Sequence, residues 1–204
     1  MSMLARHTIL LLCGALLLGG CQTPPMQGTS PRSPAAPAAP RASAPAIVFP
    51  EHLGGMRRVE REIYPDPRLG VAYHYEARGS RCSVYVYDRG YGHIPDGIQH
   101  ELVRLEFAEA RRDIRLAASR GIYRELRELG TSLRVVDTPA GRQSFLRADY
   151  SFRLRHVPQH SVLMLGGSRN RYLKLRCSWR RDADERGRKV LARFVHAVVG
   201  YYLK

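Results

Sequence analysis

The sequence predicts an α+β fold, a layered α/β sandwich in which a mainly antiparallel sheet carries a long central helix and a C-terminal helix. Three observations predict it. Period-two alternation of apolar and polar residues runs through 71–87 and again through 146–179, with turn residues between the segments. A stripe of Val103, Phe107, Ala110, Ile114 and Ala117, at spacings of three and four, marks an amphipathic helix between those two strand regions. A second stripe, Val190, Phe194, Ala197 and Tyr201, closes the chain.

The elements follow in order. Val71, Tyr73 and Tyr75 alternate with Ala72, His74 and Glu76, and Cys82, Val84 and Val86 alternate with Ser83, Tyr85 and Tyr87, so 71–87 reads as a hairpin turning at Gly79-Ser80. Asp88-Arg89-Gly90 ends the second strand, and Pro95-Asp96-Gly97 makes a turn before the helix. The helix is expected from Ile98 to about Leu129, broken near Gly121. On it Glu101, Glu106 and Glu109 mix with Arg104, Arg111 and Arg112 as a solvated, ion-paired face. A short strand at 133–136 and a longer one at 146–155 follow. Strands at 161–165 and 172–179 then flank Gly166-Gly167-Ser168, which is expected as their hairpin turn. In the last strand Leu173, Leu175, Cys177 and Trp179 point one way, Lys174 and Arg176 the other. The closing helix is expected over 189–202. One polar sheet face with helices over the opposite face completes the expectation.

That order of hairpin, long helix, meander and C-terminal helix, with the strand Tyr172-Leu173-Lys174-Leu175-Arg176 before the last helix, resembles the layered sandwich of the PsbP and Mog1 proteins. The likeness would cover roughly 63–202. It implies the sandwich shape and an accessory, non-enzymatic role, and it implies no functional residue.

The first 46 residues have a different character. Arg6 precedes an apolar run of about 11 residues, too short to cross a bilayer core comfortably, so 1–20 reads as an export signal that is removed. Leu18-Gly19-Gly20-Cys21 at its end resembles the lipobox of bacterial lipoproteins. The resemblance implies acylation of the Cys21 thiol, cleavage before it and acylation of the new amino group. Gln22, where aspartate would favour retention in the inner membrane, implies the outer membrane with the domain facing the periplasm. Several acyl chains make a durable anchor, each buried methylene contributing about 0.8 kcal/mol. Residues 21–46 alternate proline with Ala, Ser and Gly, the composition of a semi-rigid spacer; about 24 extended residues would reach roughly 70 Å. The whole chain also looks like proteobacterial lipoproteins with Tyr-rich hairpins of this kind.

Residues 47–204 are left for one α+β domain. Of the 33 Lys and Arg, 30 lie there with all 18 Asp and Glu, a net +12, so the positive charge belongs to the folded body. Such a body seeks anions. Within it Cys82 and Cys177 are expected on apolar strand faces in an oxidising compartment, either bridged or as two buried thiols. No metal or cofactor is expected: neither cysteine sits in a Cys-x-x-Cys or Cys/His cluster, and His156-x-x-x-His160 is interrupted by Pro158. His74 and Glu76, near Tyr85, Tyr87 and Asp88, are expected to form a polar surface cluster. Gly166-Gly167-Ser168-Arg169 lacks the helix and lysine of a phosphate loop, and Ser161 beside His160 lacks any nucleophile elbow.

The strongest anion-binding candidate is Arg153 and Arg155 on one strand with Lys174 and Arg176 on another. If those strands are neighbours, four cations share a solvent-facing surface that either solubilises the domain or binds phosphate or carboxylate. The functional expectation is therefore a lipid-tethered binding or scaffolding domain that contacts an anionic envelope component or an envelope protein. An envelope enzyme with a noncanonical site is the alternative. Nucleic-acid capture during uptake is a third reading, which export disfavours.

Overall fold

The structure is a computed structural model that describes residues 47–204; the expected signal, Cys21 and the spacer lie outside the described residues. It is α+β. Eight antiparallel strands form one sheet: β1 (His52–Leu53), β2 (Met56–Ile63), β3 (Val71–Ala77), β4 (Ser80–Tyr87), β5 (Arg124–Thr138), β6 (Gly141–Leu154), β7 (Val157–Ser168) and β8 (Arg171–Arg180). Their spatial order is β1-β2-β3-β4-β8-β7-β6-β5. Helix α1 (Glu101–Ser119) and helix α2 (Asp184–Tyr202) complete the architecture.

Strand order decides what each residue meets. β8, last in sequence, inserts between β4 and β7, so the N-terminal and C-terminal strand groups share one sheet. With a helix against each side of the sheet, this central strand buries both of its faces. Leu173, Leu175, Cys177 and Trp179 of β8 join Tyr73, Tyr75 and Val84 in a core closed by Val190, Phe194, Val198 and Tyr202 of α2. On the opposite face Tyr87, Ala148, Tyr150, Leu163, Leu165 and Tyr172 pack against Val103, Phe107, Ala110 and Ile114 of α1. The expectation of one helix-covered face and one wet face is thus corrected: each face carries one helix. The sheet carries buried apolar side chains on both sides, and α1 and α2 each take one of them.

The helix boundaries also differ from expectation. α1 has 19 residues and stops at Ser119. Gly121, at φ 77°, turns the chain away, and the segment expected to continue the helix begins the 15-residue β5. β5 hides from pattern reading because it is an edge strand with two register shifts against β6 and with Leu129, Leu133 and Val135 exposed. β1 and β2 were likewise not expected: β2 lies towards the other edge, and its Arg57, Glu60 and Arg61 break the apolar alternation. α2 starts five residues earlier than Lys189, at Asp184.

The expected Gly166-Gly167-Ser168 turn is corrected as well. Those residues lie inside β7, and the chain reverses at Arg169-Asn170, both left-handed at φ 52° and 61°. Positive φ at both central residues is the two-residue hairpin geometry whose twist matches the strands. The glycines serve close approach instead. A Cβ on Gly166 would lie 2.3 Å from the Ser144 carbonyl oxygen, and one on Gly167 would lie 2.0 Å from that of Pro95. Gly167 also exchanges two backbone hydrogen bonds of 2.8 Å with Gly97, which pins the loop before α1 onto the sheet.

Candidate functional site

Because α1 lies over that side of β8, Lys174 and Arg176 do not form an outer face; this corrects the four-cation surface. Both point towards α1 and are half-buried. Arg153 lies on β6, separated from β8 by β7, and alternates to the opposite side of the sheet from Tyr150 and Phe152. It pairs with Glu125 at 3.1 Å and donates to the His156 carbonyl. Arg155 occupies the left-handed β6–β7 turn at φ 47°. The quartet is split into a half-buried pair and two separate surface groups.

The half-buried pair lines a pocket of about 160 Å³ between the sheet and the C-terminal half of α1. Lys174 and Arg176, two apart on β8, project from the same side of the strand. The Lys174 ammonium lies 4.5 Å from the ring centre of Tyr85 and 5.0 Å from that of Tyr87. The Arg176 guanidinium lies 5.2 Å from the Tyr150 ring and 5.8 Å from the Tyr123 ring. Such aromatic faces attract cations and offset part of the cost of desolvating them. They do not replace hydrogen bonds. Both terminal nitrogens of Arg176 and the Tyr150 hydroxyl are buried with no hydrogen-bond partner among the described residues. Burial lowers the affinity of both cations for their protons.

α1 contributes the rest of the site. Ala110, Ile114 and Ala117 form its apolar wall with Leu163, and Asp113 stands at the rim. Burial holds the Asp113 carboxyl above its ordinary range, against the pull of Lys174. Two turns towards the helix start from Asp113, Glu106 corrects a second expectation. It is 7% exposed rather than solvated, accepts a 2.7 Å hydrogen bond from the Tyr87 hydroxyl and pairs with Arg89 at 3.0 Å. Arg111 and Glu109 do form surface pairs, with Glu128 at 2.6 Å and Arg112 at 2.9 Å. The Glu106 network takes up the carboxylate next to the pocket, and Lys174 is left without a salt bridge among the described residues. The arrangement is an electropositive, partly apolar pocket suited to holding an anion with a short apolar body.

Sequence reasoning found the two cations and misplaced their surroundings. Asp113 and Tyr123 were missed; the available signal was the continuous apolar run Val162-Leu163-Met164-Leu165, the pattern of a strand buried on both faces. Among the other expectations, Cys82 and Cys177 face each other across the β4–β8 ladder with Cα atoms 4.1 Å apart, and their sulfurs are bonded at 2.06 Å. His74 pairs with Ser83 at 2.8 Å and approaches Glu62 at 3.6 Å, not Glu76, which bonds Arg81 at 2.9 Å. His160 sits 3.0 Å from Asp184, and Ser161 donates to the Cys177 carbonyl at 2.7 Å. Among the described residues no three His, Cys, Asp or Glu side chains gather as metal ligands.

No family model matches the chain, and no curated protein matches it in sequence. Among solved structures it is similar to the solution structure of cyanobacterial PsbP (CyanoP) from Synechocystis sp. PCC 6803. That likeness has a TM-score of 0.43 and 12% identity and covers 68% of this chain and 79% of the other. No residue role is taken from it.

Proposed function

We propose that the chain is a lipid-anchored, non-catalytic binding protein of the bacterial envelope, held at the outer membrane with its domain in the periplasm. Leu18-Gly19-Gly20-Cys21, directly behind a short apolar run, carries this reading. The Cys82–Cys177 bond supports it, because such bonds persist in exported proteins and are rare in a reducing cytosol. The spacer then gives the domain reach, and the pocket beneath α1 gives it a place to hold an anionic envelope component.

Replacing Cys21 by Ser tests the anchor. Membrane retention is expected to be lost, leaving precursor or soluble protein, and processing of the unmodified chain is expected to be sensitive to globomycin. Unchanged fractionation of the Cys21→Ser protein would remove the lipoprotein assignment.

A further inference from the structure

We infer that the pocket between β8 and α1 is a binding site for a short-chain organic monocarboxylate, its carboxylate on Lys174 and Arg176 and its apolar body against α1. The inference gives the binding role proposed above a ligand class. It rests on that role and not on the lipid anchor.

The donors point to an anion. A buried guanidinium whose terminal nitrogens have no hydrogen-bond partner among the described residues is costly, and natural structures seldom leave such groups without a use. Lys174 beside it adds a second cation without a salt bridge among the described residues. A guanidinium offers two parallel N–H groups in a plane, the geometry that a planar carboxylate accepts.

The walls choose among anions. Leu163, Ala110, Ile114 and Ala117 offer no donors, so they suit hydrocarbon rather than a fully hydrated phosphate. Asp113 at the rim sets one negative charge against the two cations, which leaves room for a single added charge and penalises a second. Size limits the body: a cavity of roughly 150 Å³ holds a benzene-sized molecule, and this one is about 160 Å³. Together these features describe a carboxylate on about three to six further heavy atoms, the larger of them reaching out past the Asp113 rim.

Calorimetric titration of the purified full chain with hexanoate and benzoate, beside hexanamide and inorganic phosphate, tests the assignment. At least one carboxylate is expected to bind with a Kd of about 1 mM or tighter, with hexanamide and phosphate each at least roughly tenfold weaker. Arg176→Met is expected to weaken the carboxylate roughly tenfold to a hundredfold, and its melting temperature shows whether it has folded. Should it fail to fold, Lys174→Met, at the other of the two cations, gives the same reading. Asp113→Asn is expected to tighten binding, because it removes the like charge at the rim. Equal binding of hexanamide and hexanoate, preference for phosphate, no heat with any probe, or folded variants that bind as the unmodified chain does would each overturn the inference. All these outcomes are independent of whether Cys21→Ser leaves the membrane.

Discussion

Gly187→Ala should destabilise the domain even though the substitution favours helix. Gly187 lies in α2, buried against Trp179 of β8, the chain's one tryptophan. A Cβ built there falls 2.1 Å from Cδ1 of that indole and 2.6 Å from its Nε1. Carbon atoms rest at about 3.5–4.0 Å, so the ring must retreat by more than about 1 Å. The indole is 2% exposed and surrounded by core, which leaves it little room to do so. Overpacking of this kind costs about 1–3 kcal/mol. Displacement also strains the 2.9 Å hydrogen bond from Trp179 Nε1 to Asp184, a charged acceptor worth about 1.5–3 kcal/mol when fully buried and less here, where Asp184 is 34% exposed. Against these losses alanine returns about 1 kcal/mol of helix propensity.

The net expectation is a loss of about 1–4 kcal/mol, a fall in Tm of roughly 2–15 °C for a domain of this size. Gly200→Ala in the same helix supplies the opposite sign. Its Cβ would meet nothing closer than Thr138 at 3.7 Å, an ordinary contact, so up to about 1 kcal/mol of propensity is gained. Thermal melts followed by tryptophan emission report both stability and the indole's surroundings. A Gly187→Ala protein that melts at or above the unmodified chain with unchanged emission would refute the packing argument.

Other predictions rest on different contacts. Burial pushes the phenols of Tyr75, Tyr172 and Tyr202 up to about 12, while unfolded tyrosine titrates near about 10. Between those values the unfolded chain binds fewer protons than the folded one, so stability is fully present below about pH 10 and falls as pH rises towards about 12. Denaturant melts across that range, read beside phenolate absorbance, check this; a flat stability to pH 12 would contradict it. Reduction of Cys82–Cys177, which are 95 residues apart in sequence, is expected to remove about 2–4 kcal/mol. Urea unfolding with and without reductant measures it, and coincident midpoints would exclude a stabilising role.

Local pattern made much of this protein legible. The period of two in 71–87 and 172–179 identified strands and sorted Leu173, Leu175, Cys177 and Trp179 to one side of β8 and Lys174 and Arg176 to the other. The period of three and four identified both helices and their buried stripes, and the α+β class followed. Alternation states which residues share a side because that relation is fixed within a few ångströms of chain. It does not state what covers the side. That depended on β8 inserting beside β4, a pairing between residues about 95 apart in sequence, and on α1 and α2 taking opposite faces. The sequence alone therefore determined β3, β4, β6 to β8 in outline, both helix stripes and the inward and outward order along β3, β4 and β8, but not β1, β2 or the full β5; the export and lipidation reading at Cys21 stays a proposal drawn from Leu18-Gly19-Gly20-Cys21. Only the tertiary structure decided that Lys174 and Arg176 stand beneath a helix. A long cation that follows every second core residue reads the same on a wet face as on a covered one, until a second layer removes its water.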